Sequence, residues 1–324
     1  MVISIDNGNK QTKTKNAVFV SGIVESPTRP GFGSDILHYK GKYYILSDKR
    51  KGYQRDKTKD ETAFILTLFG IAKEIRASGM HVGAGETIPV TLLIGLPPAH
   101  YGMMHKAFRQ YFLNRGPIEF ELDGQPFRIR IDDAFVFVQG LGAMMTVYSQ
   151  IKGASDACVI DIGGFTVDYL PVHSGRPVVS ACDSLELGVT KMYNSIKSKV
   201  SAGWDLLLTE DSIDTVLMGK QSELPADVKN LIRAKADDYV TEIVSELRER
   251  DIDLRTVRPV FCGGGAVLLK ERILGNPRIG SSAIVVDDLA ANCKGYEILY
   301  KASHPNEICF DGCTWCGRNG LFGQ

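Results

Sequence analysis

The sequence lacks the marks of several protein classes. It has no excess of either charge, since 38 Lys and Arg face 38 Asp and Glu across 324 residues. A chain that held bare nucleic acid by neutralising phosphates would carry a basic surplus, so direct DNA binding is not expected. Its apolar runs stop well short of the ~20 residues that span a bilayer. The first residues, Met-Val-Ile-Ser-Ile-Asp, enter strand-like sequence at once, without a basic segment ahead of an apolar one. That start argues against a secretory leader and for a cytoplasmic location, with no membrane partner. Low-complexity stretches are absent. Cysteine is sparse and odd in number, seven in all, and in a reducing compartment a disulfide framework is not expected.

What is present is an ordinary globular composition, 44% hydrophobic and 23% charged, with length enough for two domains. Apolar patterning predicts a strand over 2–5, hairpin material over 16–24 and over 35–47 with a turn at Gly41, and a buried strand over 90–96 stopped by Pro97 and Pro98. A further strand region, 118–138, is broken at Asp123-Gly124. The spacing of Phe64, Leu68, Ile71 and Ile75 predicts a helix over 60–77, and another is expected over 101–113. The basic stretch 49–59 has no apolar period and reads as a solvated loop. In the second half, strands are predicted over 157–162, 165–172, 259–262 and 284–286, and helices over 187–200, 226–250 and 289–300. One internal similarity stands out: a strand, an Asp-x-Gly turn and a hairpin occur near the start and again near the middle. It points to two related α/β lobes.

Three glycine-bearing turns carry the chemistry. In the first, Asp6-Asn7-Gly8-Asn9-Lys10, glycine lets backbone approach a phosphate, and Lys13 or Lys10 can supply a point charge. Asp6, at the strand's end, is placed to hold the water shell of Mg²⁺. By itself, Asp-x-Gly after a strand is most often only a turn. The second turn is more specific. Asp161 tips a fully apolar strand, Gly163 and Gly164 clear space for a phosphate, and Thr166 brings a hydroxyl. The third, Gly263-Gly264-Gly265, lies between a strand and a helix-like 267–273, where a flat base or ribose can rest on the loop.

The order and spacing of these turns resemble the phosphate-1, phosphate-2 and adenosine motifs of the actin, sugar-kinase and heat-shock ATPase superfamily. The resemblance implies an α/β, actin-like (ribonuclease H-like) two-lobed fold with a nucleotide cleft between duplicated domains. Domain I would take 1–150, completed by 288–324, and domain II 151–287. Phe137-Val138-Gln139-Gly140-Leu141-Gly142-Ala143 matches the start of the family's connecting helix, and Asp183-Ser184-Leu185-Glu186-Leu187-Gly188 opens a helix that touches nucleotide in the family, which adds Gly188 and Lys191 to the site. Within the superfamily the chain looks most like ParM/StbA-type plasmid-segregation proteins, through Ile3-Ser4-Ile5-Asp6-Asn7-Gly8, Ile94-Gly95-Leu96-Pro97 and the Ala-Asn-Cys-Lys-Gly-Tyr run from Ala291.

The implied activity is hydrolysis of ATP, with GTP left open, on Mg²⁺ held by Asp6 and Asp161 through water. Gln139 matches the place of a residue that orients the attacking water; read from its own position it could instead cap a helix. The implied partners are further copies of the chain in a filament, a DNA-binding adaptor, and centromere DNA reached indirectly. The competing reading is a monomeric kinase for a small metabolite, but no carboxylate beyond Asp161 and Asp168 stands out as its base. Asn9 departs from the family pattern, standing where a small hydroxyl residue is usual.

The tail lies outside that pattern. Cys309-x3-Cys313-x2-Cys316 has a spacing used for iron–sulfur clusters, but only eight residues follow it. With His304 the three thiolates are chemically suited to zinc; otherwise the tail reads as reduced thiols on a surface.

Overall fold

Hydrophobic alternation at the N-terminus produces strand β1 (Val2–Asn7), which folds back through β2 (Gln11–Thr14) and β3 (Val18–Val20). The computed structural model describes residues 1–31, 33–47, 56–80, 83 and 85–304. Then come β4 (Ile23–Ser26), β5 (Ile36–Tyr39), β6 (Lys42–Leu46), α1 (Thr62–Ala77), β7 (Ile88–Leu96), α2 (Pro98–Leu113), β8 (Pro117–Leu122), β9 (Gln125–Val138) and α3 (Leu141–Thr146). The strands join one sheet in the order β3-β2-β1-β7-β9-β8-β5-β6-β4. Lys40-Gly41 and Asp123-Gly124 both have positive φ and close two-residue hairpins; Asp-Gly is a favoured pair there, and in the other turn only Gly41 is. Pro97 ends β7 and caps α2, with Pro98 in its first turn, where the missing N–H costs nothing. The proline pair therefore starts the helix three residues earlier than the spacing predicts.

The second half runs α4 (Tyr148–Ile151), β10 (Asp156–Ile162), β11 (Val167–His173), β12 (Arg176–Pro177), β13 (Asp183–Leu185), α5 (Val189–Trp204), α6 (Glu210–Leu217), α7 (Ala226–Arg248), β14 (Arg258–Cys262), α8 (Gly263–Leu268), α9 (Lys270–Gly275), β15 (Ile284–Val285) and α10 (Ala291–Ser303). Its sheet is ordered β12-β11-β10-β14-β15. By contact the chain divides into two units, Val147–Leu289 and a first unit holding Met1–Thr146 with α10.

Each unit repeats one plan. In the first, β1 lies parallel to β7 and antiparallel to β2, and β7 lies parallel to β9. In the second, β10 lies parallel to β14 and antiparallel to β11, and β14 lies parallel to β15. The duplication expected from the two Asp turns is thus a duplication of sheet topology.

The sheet of the first unit is covered on both faces, and period-2 alternation sorts its residues. Ile3, Ile5, Leu92 and Ile94 join Phe64, Phe69, Phe108 and Phe112 of α1 and α2 in one core. Leu93 faces the other way, with Tyr296 and Tyr300 of α10 and the rings of Phe135 and Phe137. In the second unit Cys158, Ile160 and Ile162 pack with the apolar faces of α5 and α7. Among the described residues, no helix is long and apolar enough to cross a membrane.

Several local expectations need correction. Residues 16–24 do not form their own hairpin, because β3 pairs with β2 whereas β4 pairs with β6. The expected helix over 187–200 begins at Val189 and runs to Trp204, where Asp205 closes it in the left-handed conformation. Helix α6 was not foreseen, although Thr209 and Ser212 form a reciprocal capping box at its start. The three glycines are not a free loop but the first turn of α8. The cysteines at 309, 313 and 316 and residues 49–55 of the basic stretch lie outside the described residues.

Candidate functional site

In β1 the alternation that sends Ile5 into the core sends Asp6 to the α10 face, where it is 3% exposed. A carboxylate so buried needs donors. Gln139, at the end of β9, supplies one: its Nε2 donates to Asp6 Oδ1 over 2.6 Å. Asn292 in the first turn of α10 supplies another, Nδ2 to Oδ2 at 3.4 Å. The Asn292 Oδ1 accepts the backbone amides of Gly140 (2.9 Å) and Ala143 (3.1 Å), which fixes which end of that amide is oxygen. Two glycines let α10 come this close. A Cβ on Gly295 would stand 1.8 Å from the Gly142 carbonyl oxygen, and one on Gly95 would stand 1.9 Å from the Tyr296 hydroxyl. Tyr296 stacks on Phe137 with centroids 5.3 Å apart.

The turn after Asp6 is braced from behind. Gly8 N–H donates to the Asp6 carbonyl, and Ser21 Oγ donates to the Gly8 carbonyl at 2.5 Å. Lys13 stands directly opposite Asp6 in the β1–β2 ladder. Lys57 Nζ donates to the Asn7 carbonyl. Cys293, fully buried beside this turn, donates its thiol to the Lys13 carbonyl. Burial first, then the negative charge of Asp6, hold that thiol well above its ordinary pKa.

The second unit presents a similar turn. Asp161 ends β10 directly opposite Asp168 of β11. Asp168 is clasped by two hydroxyls: Ser184 Oγ donates to its Oδ1, and Thr166 Oγ1 donates to its Oδ2 at 3.3 Å. The turn is closed by Gly163 N–H donating to the Thr166 carbonyl, 2.9 Å. The start of α5 then docks on it: the amides of Gly188, Val189 and Thr190 donate to the carbonyls of Phe165, Gly163 and Gly164, each at 3.0 Å. Gly188 permits this contact, since a Cβ there would lie 2.3 Å from Phe165 backbone. Gly263, at φ +87°, lies against the Asp161 carboxylate, 2.2 Å from a would-be Cβ to Oδ1. Gly265 lies equally close on Ile162.

Comparison with known proteins bears on this arrangement. The family described as archaeal actin homologue MreB-like, C-terminal, matches residues 159–274. Solved structures match nearly the whole chain at low identity. Ta0583, an archaeal actin homolog in complex with ADP, is 20% identical, with a TM-score of 0.72 over 93% of this chain and 99% of that one. The actin-like protein Alp7A is 15% identical, with a TM-score of 0.73 over 95% and 98%. A 15-stranded ParM filament from Clostridium botulinum is 17% identical, with a TM-score of 0.72 over 93% and 98%. The fold is actin-like. No curated protein matches the sequence.

Within this actin-like chain, the residues expected at the site separate into distinct groups. Asp6 and Gln139 meet in the first unit, and Asp161, Gly163, Thr166 and Gly263 cluster in the second. Asn7 does not share the face of Asp6. Period 2 turns its side chain toward α1, where Nδ2 donates to Thr67 Oγ1 at 3.0 Å, leaving its backbone on the turn. Gly8, Asn9 and Lys10 are half-buried at the turn itself. Lys191 is exposed and ion-paired with Glu242 of α7 at 2.6 Å, a solvated pair of small energetic weight. Gly188, Gly263 and Gly265 have a packing reason for being glycine. His304 stacks on Tyr300 at the end of α10, with centroids 4.4 Å apart. The sequence reading missed Lys57, Ser184 and the role of Asn292. A buried polar residue in an apolar-periodic helix was the available signal for Asn292.

Proposed function

We propose that this chain hydrolyses ATP and assembles head to tail into filaments that move plasmid DNA in the cytoplasm. The observation that carries the reading is the Gln139–Asp6 pair: an amide that can orient water is fixed against the carboxylate opening the first phosphate turn, at 2.6 Å. Phosphoryl transfer to water needs little beyond positioning and charge neutralisation. Asp6 and Asp161 offer the hard oxygen donors that Mg²⁺ takes, and would hold it through water. That ion would neutralise charge on the phosphates. The turns at Asn7–Lys10 and Gly163–Thr166 would cradle them, with Lys13 or Lys10 as a further cation.

Support for assembly comes from fold kinship with a protein solved as a ParM filament. A heterologous contact between identical subunits yields a polymer when its rotation does not close into a ring. Nucleotide binding would favour the assembled state and hydrolysis would weaken it. The near-neutral charge fits indirect engagement of centromere DNA through a basic adaptor protein. A metabolite kinase is less well supported, because Asp168, its remaining candidate base, is already clasped by two hydroxyls.

The test is light scattering of purified protein with ATP, with ADP and without nucleotide, read beside phosphate release. A rise with ATP that decays as phosphate appears is the expected result. Flat scattering at high protein concentration overturns the filament, and absent phosphate release overturns the hydrolase.

A further inference from the structure

We infer that Asn292 is a positioning residue for hydrolysis, because one side chain holds both the Asp6 carboxylate and the turn that carries Gln139. The inference rests on the hydrolase reading above and deepens it. Asn292 is 5% exposed and lies 286 positions from Asp6 in sequence. Its two ends do different work. Oδ1 accepts the amides of Gly140 and Ala143 and so pins the turn between β9 and α3. Nδ2 points to Asp6 Oδ2 at 3.4 Å, while Gln139 Nε2 occupies Oδ1 at 2.6 Å.

The Asp6 carboxylate is therefore held between two amides whose spacing is set by one of them. Gln139 directly precedes Gly140, the residue whose amide Asn292 accepts, so the Gln139 backbone cannot shift without breaking that bond. Gln139 N–H also donates to the Leu96 carbonyl at 2.8 Å. The glycine crossing at Gly142 and Gly295 fixes the height of α10, and with it the reach of Asn292. Misplacing a reacting group by about 1 Å can cost on the order of 10²-fold in rate, so a residue that sets this geometry matters to turnover without touching the nucleotide.

The two ends can be tested apart. Asn292→Asp keeps an oxygen for both backbone amides but replaces the donor to Asp6 with an acceptor. If Asn292 only caps the turn, this variant turns over ATP like the parent while Asn292→Ala does not. The inference expects the opposite: Asn292→Asp folds, melting below the parent because two buried carboxylates then face each other, and hydrolyses at least tenfold more slowly, no better than Asn292→Ala. Combined with Gln139→Ala it should add less than threefold, because the two residues act as one unit. Parental turnover in Asn292→Asp, or a fully additive double variant, overturns the inference. If the parent itself releases no phosphate, the hydrolase reading has failed instead, and a nucleotide-free crystal structure of Asn292→Asp decides: loss of the Gln139–Asp6 contact supports positioning, and its persistence overturns it. Should Asn292→Asp not fold, adding Asp6→Asn restores one amide facing one carboxylate. Recovered folding in that swap supports the coupling, and continued unfolding overturns it.

Discussion

Gln139 Nε2 donates to Asp6 Oδ1 at 2.6 Å, joining the end of β9 to the end of β1 through two buried side chains. A carboxylate with a close amide donor is held in one rotamer, and the amide is held in turn. On the proposed hydrolase reading, Gln139 and Asp6 would therefore act as a pair rather than as two independent residues.

Gln139→Ala should lower the rate of ATP turnover on the order of 10²-fold, the scale of a lost positioning or proton-handling group, with nucleotide affinity little changed. Steady-state phosphate release and nucleotide titration measure the two quantities separately. Turnover within twofold of the parent would mean that Gln139 serves only to brace Asp6.

On the proposed reading, Asp161→Ala should abolish hydrolysis, since it removes the metal-side carboxylate that precedes the Gly163–Thr166 turn. Its near neighbours report on specificity: Gly263 rests on that carboxylate, so the same substitution also leaves a small void beneath α8. Asp161→Asn fills the void without the charge and should melt above Asp161→Ala while remaining inactive. Normal turnover in Asp161→Asn would relocate the metal-side acid, with Asp168, directly opposite in the ladder, the next residue to test.

How much of this was legible in sequence depends on whether the signal was local. The Asp6 and Asp161 turns were visible because a strand, an acid and a glycine follow one another along the chain. So were Gly41 and Asp123-Gly124, whose residue types favour a turn. Contacts made across the fold were not visible. Asn292 falls in the run from Ala291, but its contacts to Asp6 and to the Gly140 and Ala143 amides appear only once α10 is laid on β1, 286 positions away. Gly142 and Gly295 belong to two separate motif runs in sequence, and only the fold shows that they approach each other. The glycines at 263 and 265 stand out in sequence as a loop on which a base could rest, and in the fold each also lies where a Cβ would meet Asp161 or Ile162. Composition cannot distinguish those two uses of a missing Cβ.

Gly295→Ala should destabilise the first unit. Its Cβ would fall 1.8 Å from the Gly142 carbonyl oxygen, backbone that cannot swing aside as a side chain could. Helices α3 and α10 must then separate, at a cost in the upper part of the ~1–3 kcal/mol typical of overpacking. Denaturant midpoints measure it, with Gly275→Ala as the control, where nothing lies within 4 Å of the new methyl. Equal midpoints for the two variants would show that the crossing is slack.

Cysteine alkylation reports on the same crossing from below. Burial pushes the Cys158 thiol up to about 12 and holds Cys293 well above its ordinary value, with Asp6 adding to the latter. The thiolate is the reactive form, so raising the pKa lowers its population at any pH below that value. At pH 8 a thiol of pKa 12 is ionised in about one molecule in ten thousand, against roughly a quarter for a free thiol near 8.5. Native protein treated with iodoacetamide at pH 8 should therefore label neither Cys158 nor Cys293, while half-exposed Cys182 reacts first of the four cysteines among the described residues. Unfolding in urea should expose all of them. The modified peptides are read by mass spectrometry, and the informative outcome is selective labelling of Cys293 without urea. Such labelling would mean that α10 lifts from β1 in solution, which would break the Asn292 contacts to Asp6 and to the Gly140–Ala143 turn at the same time.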